Sequence, residues 1–389
     1  MLRIGIEAQR IFRQNRHGMD VVAIEMIRQL QKLDHDNTYY IFVRPGDAPS
    51  IAPTENFHIV PLEAVTYADW EQVQLPLAVR RLGLDVLHCT SNTAPLFSPA
   101  PVVLTLHDVI FMEQKQARGS RYQQLGHHYR RWNVPRAVRQ AARVFTVSHF
   151  EETRIEGMLP EARGKLQVNY NGVSEIFRTR WDREACLALR TQYQLPLHYF
   201  LFHGNLAEKK NMPRLLQAYD RYRRQNPASA LPLVVTEVSQ SELWTLLKKL
   251  GLGALQPAIH RTGYVDHAQL PGLYQMATAF LYPSLRESFG MPILEAMASG
   301  TPVMTANTSA MPEVAGGAAL LVDPTDVSEM AAGLYQLHSK DALRFRLTER
   351  GRLQAGRFTW RHNAQRALDA YHQVVASASV STLSNPLMV

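Results

Sequence analysis

Short runs rich in Val, Ile, Leu, Phe and Tyr recur along the chain at 3–7, 39–43, 85–88, 102–106 and 144–147. They recur again at 199–203, 233–236, 259–262, 279–282, 302–305 and 319–322. Such runs are the mark of strands covered on both faces. Between most of them the apolar positions repeat at three and four residues, which predicts amphipathic helices. Strand–helix alternation of this kind predicts α/β architecture with parallel sheets. Two such blocks flank a polar stretch at 177–190 and predict two Rossmann-like domains, 1–180 and 181–360. A further helix at 361–376 carries Ala364, Leu368 and Tyr371, and the Ser-rich tail 377–389 reads as disordered. No repeat at a solenoid period is present.

A length of 389 residues fits two domains, and 46% hydrophobic with 20% charged residues fits a soluble globular protein. The formal net charge of +8 admits nucleic acid, a membrane surface or phosphorylated ligands as partners. Cys89 and Cys186 are the only cysteines, which excludes a disulfide framework and predicts a reducing compartment. The opening MLRIGIEAQR lacks the apolar stretch of a signal peptide, and no run approaches the length of a membrane span.

From Glu287 to Gly300 the chain reads ESFGMPILEAMASG. Strand 279–282 ends at Pro283, so 285–290 forms a loop at its carboxyl end. Pro292 suits the first turn of a following helix and Gly300 a left-handed stop. Ile293, Leu294 and Met297 give that helix a buried face. Glu287 then stands in the loop and Glu295 on the first turns of the helix. The amides around Gly290 and Met291 lie at the positive helix end, where ligands of open α/β sheets bind. Two glutamates eight residues apart arise easily by chance. The full string Glu-x-Phe-Gly-x-Pro-x-x-Glu-Ala-x-Ala-x-Gly-x-Pro-Val does not. It resembles the signature of retaining glycosyltransferases of the GT-B fold, glycosyltransferase family 4.

That resemblance implies roles. Glu287 would contact hydroxyls of a donor sugar, the amides of Ser288, Phe289, Gly290 and Met291 the sugar and diphosphate, and Glu295 the ribose hydroxyls. FHGNLAEKKN, 202–211, is similar to the family's Gly-x-x-x-x-Arg-Lys-Asn element. Lys210 matches its diphosphate-neutralising lysine, and Lys209 stands where arginine is usual. Taken alone, the two lysines read equally as a solvated surface pair. A departing nucleoside diphosphate needs such cations, because negative charge grows on its oxygen. Asn205 stands where relatives often have a basic or hydroxyl residue, which weakens the phosphate grip. The loop at Tyr264 and Val265 would hold the base edge through its backbone; its alternative is a strand-ending turn.

In the first half, His17-Gly18-Met19 fits the family's glycine loop, with Gly18 alone where relatives often have two glycines. His107, after strand 102–106, matches a histidine that faces the donor sugar; its alternative is a turn cap. Val147-Ser148-His149-Phe150 and Asn171-Gly172-Val173 match structural landmarks, so the resemblance runs from Leu2 to about Tyr371.

Other features compete. Asp34-His35-Asp36 imitates a metal motif but reads as turn chemistry before a strand. His127-His128 is not at ligand spacing, and Cys89 has no evident base. From Arg118 to Arg143 the chain holds seven arginines with Tyr122, Tyr129 and Trp132 and no acid. This reads as a solvated basic face, as nucleic-acid chemistry, or as a face for anionic lipid headgroups. The donor motifs make nucleic acid unnecessary, and the lipid surface fits better.

The resemblance therefore implies a GT-B fold, with domains facing across a cleft and the last helix crossing back to the first. It implies transfer of a hexosyl unit, mannosyl or glucosyl, from a nucleotide-diphosphate sugar to a hydroxyl of a glycan or lipid-linked acceptor, with retention. No metal or cofactor is called for. The setting would be polysaccharide or glycolipid assembly, cytoplasmic and peripheral on the inner face of the membrane. The alternatives are a non-catalytic scaffold and a nucleotide-sugar epimerase of the same fold.

Overall fold

The computed structural model describes residues 1–13, 18–46, 50–113 and 121–383. They form two compact units, Met1–Gly172 together with the chain from Trp360, and Val173–Thr359. The first holds β1 Arg3–Glu7, β2 Thr38–Val43, β3 Phe57–Pro61, β4 Val86–Cys89, β5 Val102–Thr105, β6 Arg143–Thr146 and β7 Leu166–Val168. These make one parallel sheet in the order β3-β2-β1-β4-β5-β6-β7. The second holds β8 Phe200–Phe202, β9 Leu233–Thr236, β10 Ile259–Gly263, β11 Ala279–Tyr282, β12 Val303–Ala306 and β13 Leu320–Val322. Its parallel order is β10-β9-β8-β11-β12-β13.

In each sheet the chain builds outward from its first strand, then returns to that strand's other side. The direction reverses between β1 and β4, and between β8 and β11. Loops leave those neighbouring strands in opposite directions and open a crevice at their carboxyl ends. The pattern of apolar runs finds the inner strands because every residue of β4, β9, β11 and β12 is buried. It misses β3 and β7. Both are edge strands, β3 with two exposed residues and β7 with only three residues in all.

The final helix, Trp360–Leu383, belongs to the first unit. Ala364, Ala367, Ala370, Tyr371 and Val374 share a core with Ile4, Ile6, Ile24 and Ile27. The alanines allow close approach to the helix Gly18–Leu33. The helix takes in the Ser-rich stretch from Ser377, which composition alone reads as disordered. Ser377 Oγ donates to the Gln373 carbonyl at 2.8 Å, so the hydroxyl is satisfied within the helix. Residues 384–389 lie outside the described chain. Residues 173–180, expected in the first domain, are held by the second. Val173 N–H donates to Phe358 O, Arg178 Nη2 donates to Ala355 O, and Phe177 packs against Tyr274 and His267.

Inside the first unit, His88 is buried with Nδ1 2.7 Å from the Tyr371 hydroxyl and Nε2 2.8 Å from Thr105 Oγ1. Burial, with His107 beside it, holds its pKa down to about 3, so it is neutral. Tyr371→Phe strips a partner from a buried ring nitrogen while keeping the packing. Urea unfolding should show a loss of about 1–3 kcal/mol. An unchanged midpoint would mean that packing alone seats the helix.

Candidate functional site

The second unit gathers its chemistry at the crevice beside β8 and β11. β8 leads into the loop 203–211, which ends in the short turn Glu208–Lys210. β11 ends at Tyr282 and leads through Pro283 to Glu287 and the helix Met291–Ala298. Glu287 is buried. Its Oε1 accepts from Lys210 Nζ at 2.8 Å, and its Oε2 lies 3.4 Å from Lys209 Nζ. Lys210 Nζ also donates to the Tyr282 hydroxyl at 2.8 Å. Burial pushes the Glu287 carboxyl up, but the ammoniums of Lys210 and Lys209 outweigh it and hold it below the usual carboxylate range. Burial draws the Lys210 ammonium down, and Glu287 opposes that.

Several contacts fix this arrangement. Asn211, buried with a left-handed φ of 60°, donates from Nδ2 to Pro283 O at 3.0 Å and Pro324 O at 2.6 Å. It thereby ties the lysine loop to the loops after β11 and β13. Leu285 N–H donates to Lys209 O at 2.8 Å. Glu287 N–H donates to Ser309 Oγ, whose hydroxyl donates back to Glu287 O. Gly290 has a φ of 97° at the helix entrance, which its lack of a side chain permits. The helix end carries the expected left-handed Gly300, φ 81°, with Thr301 N–H on Ala296 O and Gly300 N–H on Met297 O, a Schellman stop. At this helix start Pro292 has no N–H, and Ile293 N–H donates to Gly290 O at 3.0 Å.

Glu295 sits on that helix in a different environment. It is half-buried, and Tyr274 donates to its Oε2 at a long 3.4 Å. Among the described residues no ion pair reaches it. Burial pushes its pKa up to about 7; the Tyr274 hydrogen bond and the more distant Lys210 counteract this only in part.

Lys209, Lys210 and Glu287 thus meet, and Ser288, Phe289, Gly290 and Met291 lead from them into the helix that carries Glu295. Asn205 is exposed, and its Oδ1 accepts from Ala207 N–H, so its side chain shapes the loop. Tyr264 is exposed and Val265 buried, after Gly263 with a φ of 73°. In the first unit, Gly18 opens the helix Gly18–Leu33, and His17 falls outside the described residues. His107 is buried; its Nε2 donates to Thr90 O at 2.9 Å, and burial lowers its pKa.

Asn211 closes the matched Gly-x-x-x-x-Arg-Lys-Asn element, which does not reveal its tying role; Tyr282, Tyr274, His203 and Glu237 escape the motif reading. Tyr282 and Glu237 had a signal: each closes or directly follows an apolar run at a strand's carboxyl end. Asp34 accepts hydrogen bonds from Asp36 N–H, Asn37 N–H, Asn37 Nδ2 and Tyr39 Oη, which occupies both oxygens with turn structure. His127 is buried, and burial also pushes the Cys89 thiol up. Among the arginines whose side chains are described, three turn to partners within the protein. Arg130 leans on Phe111, Arg139 pairs with Glu161 at 3.0 Å, and Arg143 reaches Gln373. Arg118 lies outside the described residues. Among the described residues, Leu125, Arg131, Trp132 and Arg136 are outward on the helix Arg121–Gln140, with Arg136 stacked on Trp132 at 5.0 Å. No described helix is long and apolar enough to cross a membrane.

The chain is similar to known proteins. Residues 193–354 match the family described as glycosyl transferases group 1, and residues 16–175 match glycosyltransferase family 4. The O-antigen chain mannosyltransferase B of Escherichia coli is 33% identical over 247 residues, 62% of this chain and 64% of that protein. The serotype-specific mannosyltransferase WbdA of Escherichia coli is 25% identical over 349 residues, 85% of this chain and 41% of that protein. The chain therefore spans less than two thirds of either relative. In fold it is similar to WaaG, a glycosyltransferase involved in lipopolysaccharide biosynthesis, with a TM-score of 0.72 at 14% identity, over 95% of this chain and 99% of that one.

The raised pKa of Glu295 makes a stability prediction. Its folded value, about 7, lies above the ordinary value of 4.5. The folded state therefore holds more protons between these values, and the group's contribution to stability falls as pH rises through that window. Glu295→Gln should flatten this slope and gain stability above pH 7, by at most about 3 kcal/mol. Urea unfolding from pH 5 to pH 8 measures it; identical slopes for the two proteins would refute the assignment.

Proposed function

The chain belongs to the group 1, family 4 glycosyltransferases of the GT-B fold, and on that footing we propose that it transfers a hexosyl unit with retention. The donor is a nucleotide-diphosphate sugar, mannosyl or glucosyl, and the acceptor a hydroxyl of a glycan or lipid-linked saccharide in polysaccharide or glycolipid assembly. The names of the two relatives favour the mannosyl donor. The observation that carries the reading is the buried Glu287–Lys210 pair beside a helix N-terminus at the β8/β11 crevice.

In this reading Lys209, Lys210 and the amides from Ser288 to Met291 hold the diphosphate. Glu287 faces the hexose and Glu295 the ribose. Val265 and Tyr264 offer backbone to the base. The bond from the anomeric carbon to the phosphate oxygen breaks as the acceptor oxygen bonds to the same face. The acceptor's proton passes to the leaving oxygen, so neither a protein base nor a metal ion is required. The lysines stabilise the charge that grows on that oxygen. A scaffold that merely kept the fold would have no use for a desolvated ion pair there.

The outward Leu125, Arg131, Trp132 and Arg136 fit a peripheral contact with anionic lipid, which would bring a lipid-linked acceptor near. Binding to anionic vesicles should weaken with salt, since exposed charges are screened beyond roughly 8 Å at physiological ionic strength. It should weaken further in Arg131→Glu with Arg136→Glu, while slow donor hydrolysis persists. Equal binding to neutral and anionic vesicles would remove this contact from the proposal.

Steady-state kinetics in chelator separates the two glutamates. Glu287→Gln keeps the side chain's shape but removes charge beside the sugar, where positive charge develops. Turnover should fall by about 100-fold or more, in the range of a lost transition-state contact. The free nucleoside diphosphate should still bind. Glu295→Gln removes contacts equal in ground and transition states, so KM should rise roughly 10–100-fold with little change in kcat. The opposite pattern would reverse the roles, and activity lost in chelator but restored by a divalent ion would overturn the metal-free mechanism.

A further inference from the structure

The proposed reading employs two glutamates of the second unit, Glu287 and Glu295, and leaves a third at the carboxyl end of the sheet without a role. Glu237 is the third. It follows β9 directly, between the ends of β8 and β10, and its backbone is left-handed, φ 58°, which is strained for a residue with a Cβ. Its N–H donates to Gly263 O at 3.0 Å, which fixes it to the turn that continues into Tyr264 and Val265. The charge of Glu237 acts on both Lys210 and Tyr274. Its carboxylate accepts no hydrogen bond from any described residue. The nearest cationic candidate, His203 Nε2, is 3.9 Å away, beyond hydrogen-bond reach. His203 is neutral near pH 7, because burial and the neighbouring Lys210 hold its pKa down to about 4.

An ionised carboxylate only accepts hydrogen bonds. A nucleotide-diphosphate sugar offers donors in three places: the hexose hydroxyls, the ribose hydroxyls and the N–H groups of the base. Glu287 and Glu295 answer the first two. We propose that Glu237 reads the base, and that the base is guanine. The inference rests on the reading that the second unit binds a nucleotide-diphosphate sugar. Guanine presents two donors side by side, N1–H and the 2-amino group, which meet the two oxygens of one carboxylate. Uracil and thymine present one N–H flanked by two carbonyl oxygens, which a carboxylate repels. Adenine and cytosine place an amino group beside a ring-nitrogen acceptor. A strained backbone at Glu237 is then the means of setting a carboxylate next to a turn that holds the base by its main chain.

Calorimetry with GDP, UDP and IDP tests this, on the full chain and on Glu237→Gln. IDP is GDP without the 2-amino group. The unaltered protein should bind GDP at least about 10-fold more tightly than either UDP or IDP, the scale of a hydrogen bond to a charged group. In Glu237→Gln the GDP-to-IDP ratio should collapse to within about 2-fold, with the melting temperature unchanged and UDP bound no more weakly than before. UDP binding as tightly as GDP, or a GDP-to-IDP ratio that survives Glu237→Gln, overturns the base assignment and leaves the transferase reading standing. Absence of binding by all three diphosphates overturns both.

Discussion

The second unit's site depends on the ion pair between Lys210 and Glu287. Taking two such charges out of water costs several kcal/mol per ion unless geometry and further hydrogen bonds compensate. Here compensation is visible: the Tyr282 hydroxyl shares Lys210, Lys209 adds a second cation, and Ser309 clasps the Glu287 backbone. Without a donor, Glu287 occupies the position of an anion between two ammoniums. An incoming diphosphate, in the proposed reaction, would take over part of that role, so the lysines would be held ready rather than recruited. This is preorganisation in the electrostatic sense: the cations are placed before the charge they serve develops.

The pair is only as rigid as the loops that carry it, and those loops leave strands that neighbour each other at the point where the sheet's build direction reverses. Asn211 is what makes them one body. A single buried amide spans three loops through Pro283 O and Pro324 O while its own left-handed backbone turns the chain into the next helix. Proline carbonyls are useful partners here, because neither residue can rejoin a ladder through an N–H of its own. At the β1/β4 switch of the first unit no such cation pair occurs among the described residues. Glu7 there accepts from Gln9 N–H and Thr90 N–H, and burial raises its pKa. Each switch thus holds a buried carboxylate, but among the described residues only Glu287 is paired with lysines.

Much of this was legible from residue order, for an identifiable reason. Strands buried on both faces write themselves as apolar runs, and the Glu287–Gly300 segment is a local motif whose proline, glycines and apolar positions all agree. What escaped is non-local. Asn211 closes a matched element, but what its amide does shows only when Pro283 and Pro324 are brought to it. The edge strands β3 and β7 lack a second buried face. The seven arginines from Arg118 look like one basic surface only while Phe111, Glu161 and Gln373 are out of view. The five-residue π-helix Trp70–Gln74 has no sequence signal at all. It places Glu71 among Tyr67, Thr93, Tyr129 and Asn133, partners spread over more than sixty positions of sequence.

The two glutamates of the signature show how position becomes chemistry. They are eight residues apart in one loop-and-helix segment, and both are taken from water, yet their carboxyl groups shift in opposite directions. Desolvation raises both. At Glu287 the ammoniums overcome it, so the carboxylate stays charged and is held from the protein side. At Glu295 the available donor is a distant phenol, so desolvation wins and the group is left at about 7 with hydrogen-bonding capacity unspent. A carboxylate satisfied internally is a fixed charge, suited to acting on charge that appears elsewhere. One left unsatisfied gains most from the hydroxyls of a ligand. The different duties proposed for the two residues follow from that difference in environment, which the eight-residue spacing alone does not contain.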